Sequence, residues 1–314
     1  MMRAGNELLK SIRRELKMSQ EEMGEHLVMN QRTVSRIERG ERNLSVWEYF
    51  TLMSMIGKPT EDLSPLFLES KELNDYNTYI ELKRLLKDNR YEEIKDILPE
   101  FDKGLTSRQP FIVQFIAYIK IFVDESISHD EAIDGLYDVM RMSIKNFDKN
   151  KVKEYHFSYN EIYILFGIAL KLEYLERNSE AIELYKDLAE SRGNSSATDE
   201  DKSRIFTALM SNLSTLLGRD GKYEEALKYC KDAHEICIKY NNLRMIPKIM
   251  YNMACCYRLL GEEEELYQTY FLRAYHIAHA IENKELVEVL KNEAKDFGFT
   301  DLQFSMDQWY FQGL

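Results

Sequence analysis

Four polar residues near the N-terminus have the types and spacing that could read the edges of nucleic-acid bases. They are Gln31, Arg32, Thr33 and Arg36. Asn30 directly precedes them and can cap a short helix by accepting hydrogen bonds from its first backbone N–H groups. A carboxamide and a guanidinium can each make two hydrogen bonds to adenine or guanine in a major groove. The pattern therefore predicts a surface for sequence-specific base contacts.

Two short helices joined by a tight turn must position this surface. Ser19 and Glu22 have the spacing of a capping box that begins the first helix, and Gly40 ends the second. The apolar residues that must pack between the two helices are Met23, Leu27, Val34 and Ile37. We expect flanking helices at about residues 6–16 and 45–56, which complete a small all-helical core.

Residues 1–66 resemble the lambda-repressor-type (XRE) helix-turn-helix domain. The resemblance rests on Ser19-Gln20-Glu21-Glu22-Met23 and on Thr33-Val34-Ser35-Arg36-Ile37-Glu38-Arg39-Gly40. It implies that Gln20 contacts phosphate and braces Gln31, and that Arg13 and Glu38 form a salt bridge behind the recognition helix. Arg42 is expected to contact phosphate. The candidate DNA contacts are Gln20, Gln31, Arg32, Thr33, Ser35, Arg36, Arg42 and Asn43.

The charge distribution indicates that one copy of this domain binds DNA weakly. The chain has a formal net charge of −12, but residues 1–66 contain 10 basic and 10 acidic residues, so the other 248 residues carry the whole excess. A neutral domain gains little from phosphate attraction. We therefore expect a homodimer that reads an inverted repeat in double-stranded promoter DNA, with the acidic region as the dimer surface.

Beyond about residue 70 the sequence predicts long amphipathic helices in pairs. The turn and following helix are plainest at residues 221–229, with similar patterns at 90–94 and 178–185, and they resemble a tetratricopeptide repeat. The predicted pairs are 71–88 with 91–101, 108–124 with 129–146, 155–175 with 179–192, 200–219 with 222–240, and 243–260 with 262–281, followed by helices at 284–297 and 300–311. The fold prediction is all-α: a five-helix-type domain at 1–66, then a right-handed superhelical array of degenerate repeats at 67–314.

Asparagines recur on the first helices of these pairs. Asn212 and Asn252 each lie nine residues before a turn glycine, and Asn160 lies two helical turns before Gly167. A row of carboxamides can hold the backbone of an extended peptide by donating and accepting hydrogen bonds. Arg219 and Arg258 could pair with a peptide carboxylate, and Tyr163, Phe166 and Tyr251 could form apolar pockets. The alternative is that these asparagines are solvated and that the aromatic residues belong to the core.

The order of the two regions resembles the RRNPP group of Gram-positive quorum-sensing regulators. That resemblance implies a homodimer that binds promoters and a short, re-imported oligopeptide in the concave groove. The alternative is a tetratricopeptide adaptor that binds a partner protein such as a response regulator, with DNA binding secondary. The two alternatives differ in the length of the ligand.

Enzymatic and membrane functions find little support in the sequence. It contains no nucleophile elbow, no phosphate-binding glycine-rich loop and no run of metal ligands, so we expect neither an enzyme nor a bound cofactor. The spaced pair His276 and His279 is typical of ordinary helix surfaces. The most apolar stretch, residues 111–123, is too short to span a bilayer. Four cysteines without a spaced framework fit reduced thiols, so we expect a cytoplasmic protein with no membrane partner.

Overall fold

The computed structural model describes residues 2–56, 70–104, 109–191 and 200–299. The regular elements of these ranges are all helices, which confirms the predicted all-α fold. The chain divides into two compact units, Met1–Lys202 and Ser203–Leu314. The predicted domain boundary at residues 66 and 67 lies outside the described residues, as does the predicted helix at 300–311. Across the described ranges, no helix combines the length and apolarity that crossing a bilayer requires.

The first four helices form a small N-terminal bundle. They are α1 (Met2–Glu15), α2 (Gln20–His26), α3 (Gln31–Glu38) and α4 (Val46–Met55). The predicted capping box of Ser19 with Glu22 begins α2, the predicted cap Asn30 begins α3, and a further capping box of Ser45 with Glu48 begins α4. The buried core of the bundle includes Leu9, Ile12, Leu16, Met23, Leu27, Val34, Ile37 and Leu52. This core holds α2 and α3 against each other.

The turn between α2 and α3 is fixed by close packing. The N–H of Met29 donates to the carbonyl of Gly24 at 2.8 Å. A Cβ atom at Gly24 would lie 2.5 Å from the carbonyl oxygen of Met29, which is closer than real Cβ atoms approach backbone. Val28 takes φ of 51° in this turn, a conformation that β-branched residues rarely adopt. Glycine at residue 24 is therefore a steric requirement of the helix-turn-helix.

The rest of the Met1–Lys202 unit contains three helix pairs. Their helices are α5 (Ser70–Lys87), α6 (Tyr91–Gly104), α7 (Pro110–Val123), α8 (His129–Arg141), α9 (Tyr159–Tyr174) and α10 (Asn178–Ser191), with a 3-10 helix at Lys149–Glu154. The predicted helix 129–146 ends earlier, at Arg141. The predicted helix 155–175 begins later, at Tyr159, because Ser158 and Glu161 form a capping box there, with 2.6 Å between the Ser158 backbone N and Glu161 Oε2.

The Ser203–Leu314 unit contains two further pairs and a final helix. They are α11 (Glu200–Arg219), whose first residues precede the unit, α12 (Tyr223–Lys239), α13 (Ile246–Leu259), α14 (Glu264–Ala280) and α15 (Lys284–Glu293), followed by a 3-10 turn at Ala294–Phe297. Each pair predicted from the sequence is present as two helices. The assignment of these pairs to tetratricopeptide repeats remains a prediction.

Four of the first helices end in the same backbone turn. The residues after α5, α9, α11 and α13 with positive φ are Asn89, Glu176, Gly221 and Gly261, at 56°, 57°, 74° and 76°. In each case the next N–H donates to the carbonyl five residues earlier, as Lys222 does to Leu217 at 2.9 Å and Arg177 does to Leu172 at 3.0 Å. This is the Schellman pattern, which satisfies carbonyl groups left free at a helix end.

Candidate functional site

The outer side of α3 carries the predicted base-reading residues. Gln31, Arg32 and Arg36 are exposed, whereas Val34 and Ile37 on the inner side are fully buried. The helix is therefore anchored by its apolar side while three long polar side chains remain accessible. This arrangement is the one that a recognition helix needs to place side chains in a major groove.

The start of α3 is held by Asn30. Its Oδ1 accepts from the backbone N of Thr33 at 2.9 Å and from the hydroxyl of Thr33 at 3.0 Å. The threonine hydroxyl thus already donates inside the protein, and only its lone pairs are available to a ligand. Ser35 is half-buried on the same helix. These two side chains have less freedom to contact DNA than the exposed residues.

A buried network behind α3 ties it to the rest of the bundle. Arg13 pairs with Glu38 through two hydrogen bonds, Nε to Oε1 at 2.5 Å and Nη2 to Oε2 at 3.0 Å, as the family resemblance implied. Gln20 Nε2 donates to Glu38 Oε2 at 2.9 Å, so its side chain braces α3 through Glu38. Burial opposes ionisation of Glu38, but the bonds from Arg13 and Gln20 hold the pKa of this carboxyl below its ordinary value. The ionised network fixes the orientation of the helix.

Arg36 of α3 and Arg42, which follows the helix, both lie near carboxylates. Arg36 Nε lies 3.8 Å from Glu41 Oε2, a loose and exposed contact that DNA can displace. Arg42 Nη2 lies 2.7 Å from Oε1 of Glu48, which also caps α4. Contact between Arg42 and a phosphate must therefore compete with this pair. Asn43 is exposed beside it.

Within the Ser203–Leu314 unit the two aligned asparagines have different surroundings. Asn252 is 9% exposed, and its Nδ2 lies within hydrogen-bond distance of Ser211 O, Ser214 Oγ and Thr215 Oγ1, at 3.2, 2.9 and 3.1 Å. Asn212 is only half-buried, and its Oδ1 accepts from Lys248 Nζ at 3.1 Å. The Asn252 donor is used to join α13 to α11, whereas Asn212 lies nearer the surface.

Of the other predicted peptide contacts in this unit, one is exposed and two make contacts within the protein. Arg219 is exposed. Arg258 Nη1 donates to Asp296 O at 2.6 Å, and its guanidinium lies 4.6 Å from the ring centroid of Phe297. The Tyr251 hydroxyl donates to Glu293. Both of these contacts reach the last described turn of the chain, so Tyr251 and Arg258 hold that turn in place.

In the Met1–Lys202 unit, the predicted peptide contacts lie mostly inside the packing. Asn160 is 3% exposed, its Nδ2 donates to Phe111 O at 2.8 Å, and its Oδ1 is buried with no hydrogen-bond partner among the residues that the structure describes. The Tyr163 hydroxyl lies 2.7 Å from that of Tyr159. Phe166 is half-buried and its ring centroid lies 6.0 Å from that of Tyr185.

The structure adds a cavity that sequence patterns did not predict. It has a volume of about 210 Å³ and lies between the N-terminal bundle and α7, α8 and α9. Its lining includes His26, Thr51, Met55, Phe111, Gln114, Ser143, Asn160 and Glu161. The lining residues come from distant parts of the sequence, so no local periodicity or motif could bring them together. A larger, acid-rich cavity of about 700 Å³ lies along α8, the 3-10 helix at Lys149–Glu154 and α10.

Comparison with known proteins assigns the first region. The helix-turn-helix family model (HTH_3) matches residues 9–63. Residues 9–63 are a helix-turn-helix domain. The match covers the bundle that presents Gln31, Arg32 and Arg36. No curated protein sequence matches this chain.

Solved structures share the fold over almost the whole length. Bacillus thuringiensis PlcR, in complex with the peptide PapR7 and DNA, is 20% identical with a TM-score of 0.60, covering 91% of this chain and 98% of its own. ComR from S. thermophilus, in complex with DNA and its signalling peptide ComS, is 15% identical with a TM-score of 0.53, covering 94% of this chain and 100% of its own. ComR from Streptococcus vestibularis, in complex with the signalling peptide XIP, is 16% identical with a TM-score of 0.53, covering 93% of this chain and 97% of its own. The chain thus joins a helix-turn-helix domain to a helical repeat-type domain in the order found in these proteins.

Proposed function

We propose that the chain is a DNA-binding transcriptional regulator whose promoter binding is controlled by a short signalling peptide held by the repeat domain. The observation that carries the proposal is the exposed polar side of α3, with Gln31, Arg32 and Arg36 accessible above a buried apolar side. The Glu38 network supports it, because a recognition helix must keep its orientation when bases replace water.

The peptide part of the proposal is supported by shared fold. PlcR was solved with a peptide and DNA, and ComR with DNA and its signalling peptide. The same order of domains here favours the RRNPP group and a short peptide as the regulatory ligand. Asn212 and Arg219 are the most accessible of the predicted peptide contacts in the Ser203–Leu314 unit. A peptide carboxylate could pair with the guanidinium, and the carboxamide could bond to the peptide backbone.

We further propose that the active form is a homodimer that reads an inverted repeat. The near-neutral charge of residues 1–66 limits the attraction of one copy to phosphate, and a two-fold dimer doubles the contacts on one site. Sedimentation at micromolar concentration and the symmetry of a footprint test this proposal. A monomer with a single, asymmetric footprint contradicts it.

The DNA-reading proposal is tested with duplexes selected from a random library by the full chain. Arg36→Ala should cost about 1–3 kcal/mol of binding to the selected site and should relax its sequence preference, because a base contact is lost. Arg84→Ala is the matched control, since it also removes an exposed, ion-paired arginine, but from α5. The measurement is the dissociation constant on the selected and scrambled duplexes at one salt concentration.

Two results contradict that assignment. If Arg36→Ala and Gln31→Ala both keep full discrimination between selected and scrambled duplexes, α3 does not read bases. If Arg84→Ala weakens binding as much as Arg36→Ala does, the effect is one of net charge alone.

The peptide proposal is tested with a displayed library of random short peptides. Clones that bind wild type should bind Asn212→Ala and Arg219→Ala about tenfold or more weakly if these side chains contact the peptide. Asn292→Ala, which truncates an exposed asparagine of α15, is the control. Full affinity of the selected peptides for the double variant Asn212→Ala/Arg219→Ala places the ligand elsewhere. If no short peptide binds but a response-regulator protein does, the adaptor alternative replaces the proposal.

A further inference from the structure

A buried pair of opposite charges joins the N-terminal bundle to the repeat helices. His26 lies at the end of α2, and Glu161 lies in the first turn of α9. His26 Nδ1 is 3.2 Å from Glu161 Oε1, and the two side chains are 7% and 0% exposed. Both groups belong to the Met1–Lys202 unit. The contact therefore links the element that precedes the recognition helix to the repeat domain.

Glu161 is held from three sides. Besides His26, it accepts a hydrogen bond from the Ser143 hydroxyl and one from the backbone N of Ser158 at 2.6 Å. Ser143 follows α8, and Ser158 caps α9, so the carboxylate lies where three segments meet. The same cavity is also lined by Met55 of α4 and Phe111 of α7, which are apolar. A carboxylate so fully enclosed depends on these hydrogen bonds and on a protonated His26 to offset the cost of its burial.

The pair leaves the DNA-reading side of the bundle uncovered. Gln31, Arg32 and Arg36 remain exposed while His26 and Glu161 are in contact. The contact thus orients α2 and the following recognition helix without covering the reading side. Buried ion pairs contribute little net stability compared with apolar packing, but they disfavour arrangements that leave one charge unpaired. That property suits a contact that selects one orientation.

We propose that His26 and Glu161 form a pH-dependent latch that fixes the orientation of the helix-turn-helix domain on the repeat helices. The consequence for DNA binding rests on the proposed function, whereas the latch itself does not. Below the pKa of His26 the imidazolium neutralises the buried carboxylate. Above it, the carboxylate loses its counter-charge and docking weakens.

The charges around the latch shift the pKa values of its two partners in opposite directions. Burial lowers the pKa of His26, but Glu161 and, on α2 itself, Glu25 and Glu22 raise it to a value above the ordinary one. Burial raises the pKa of Glu161, and His26 with its other hydrogen-bond donors lowers it to a value below the ordinary one. Among the described residues that line the cavity, α4 and α7 contribute no charged side chain.

One more titrating group faces the latch. His156 precedes α9, and its pKa is lowered by burial while Glu22 opposes and Lys17 and His26 add to the shift. His156 is therefore neutral before His26 loses its proton as pH rises. The transition above the ordinary histidine pKa belongs to His26, because its pKa is the raised one.

The sign of the pH dependence follows from these directions. His26, with a raised pKa, contributes its full docking stability below its unfolded value of about 6.5 and loses it as pH rises through the folded value. Glu161, with a lowered pKa, contributes above its unfolded value of about 4.5 and loses its contribution as pH falls through the folded value. The latch is closed between the two folded values and opens on the alkaline side.

An open latch should weaken operator binding. Binding of a dimer to two half-sites costs less conformational entropy when each recognition helix is already oriented. Operator affinity should therefore fall by roughly 5- to 100-fold as pH rises through the pKa of His26, the range typical of coupled sites. DNA has no group that titrates near the pKa of a histidine, so a change in operator affinity with pH comes from the protein.

The primary test is a nuclear magnetic resonance titration of the histidine side chains of the full chain from about pH 5 to about pH 9. His26→Gln assigns the His26 signal among the six histidines of the chain. Wild-type His26 should titrate above 6.5, and Glu161→Gln should shift it below 6.5, because the burial stays and the counter-charge is lost. A wild-type pKa of 6.5 or lower overturns the latch without any variant.

The second test measures docking directly. Hydrogen exchange of α2 and of the first turn of α9, corrected for its intrinsic pH dependence, should accelerate above the pKa of His26 in wild type. The neutral double variant His26→Gln/Glu161→Gln should show no such transition. His129→Gln, which removes a histidine stacked on Tyr174, should retain the wild-type transition. Equal protection of α2 at both ends of the pH range in wild type overturns the latch.

Operator binding then separates the latch from the proposed function. Wild type should lose affinity with rising pH and the neutral double variant should not. A pH-independent operator affinity in wild type, with the two tests above positive, overturns the orienting role. Failure of wild type to bind any selected duplex overturns the proposed function, and the titration and exchange results still decide the latch.

Discussion

The helix-turn-helix and the last helix pairs both carry polar side chains that the sequence pattern singles out, but these side chains have different surroundings. In the N-terminal bundle, caps and the Glu38 network satisfy the polar groups that face inward, and Gln31 and Arg36 remain exposed. In the Ser203–Leu314 unit, the Asn252 carboxamide donates its hydrogen bonds to residues of α11. A reading surface can therefore be recognised from local sequence, whereas a groove depends on which neighbours compete for each side chain.

The two regions also build their turns by different means. The turn between α2 and α3 requires a residue without a side chain, because Met29 O occupies the space of a Cβ at Gly24. At Gly221, no atom of the described residues other than its chain neighbours lies within 4 Å of such a Cβ, and only its φ of 74° favours glycine. The first constraint is steric and the second is conformational. Substitution should separate them.

The largest effect should come from Gly24→Ala. It should destabilise the N-terminal bundle by about 3 kcal/mol, because either α2 or the Met29 carbonyl must move. Gly221→Ala should cost only about 1–2 kcal/mol, the strain of a left-handed alanine. Urea unfolding measures both. As a control of opposite sign, Gly218→Ala lies within α11 with open space around it and should stabilise by about 0.5–1 kcal/mol. Equal costs at residues 24 and 221 contradict the steric distinction.

A smaller effect should distinguish the two aligned asparagines. Asn252→Ala should destabilise the chain by about 1–2 kcal/mol, because buried partners on α11 lose their donor. Asn212→Ala should change stability by less than about 0.5 kcal/mol, since its side chain is only half-buried. Thermal unfolding without added peptide gives both values. If Asn212→Ala is as destabilising as Asn252→Ala, Asn212 is also a packing residue and its loss cannot report on peptide binding alone.

The smallest effect should be the acid sensitivity of the Glu38 network. Because the pKa of Glu38 is lowered on folding, its contribution is present above the ordinary value of about 4.5 and is lost as pH falls through the folded value. After allowance for solvent screening, Glu38→Gln should remove about 0.5–1 kcal/mol of stability near pH 7 and less near pH 3. Urea unfolding at the two pH values measures the difference. A variant whose deficit is the same at both values contradicts the ionised network.

Most of the fold was predictable because its signals are local. The predicted caps Ser19 and Asn30 and the turn glycines placed the helix ends to within a few residues. The Arg13–Glu38 pair is also present as predicted from the family resemblance. Between α8 and α9 the prediction extended both helices too far. There the aromatic side chains of residues 147–157 pack on each other, and the Ser158 cap overrides helical periodicity.

The candidate sites were predictable only in part. Exposure of Gln31 and Arg36 follows from the apolar side of their own helix, which the sequence displays. The surroundings of Asn160 and Asn252 are set by residues on other helices, Phe111 and Ser214, and no spacing along the chain reports them. The contact between His26 and Glu161 has the same origin, because two domains must fold before these residues meet.

The recurring turn after the first helices has a consequence for how this architecture can diverge. Asn89, Glu176, Gly221 and Gly261 share one backbone shape although their side chains have little in common. Glutamate gains nothing in this conformation, so Glu176→Gly should relieve strain of about 1 kcal/mol. Substitutions at these turns can therefore remove the sequence similarity between repeats while the backbone conformation of the turn stays the same. Searches that compare backbone dihedral angles should detect such repeats where sequence alignment no longer does.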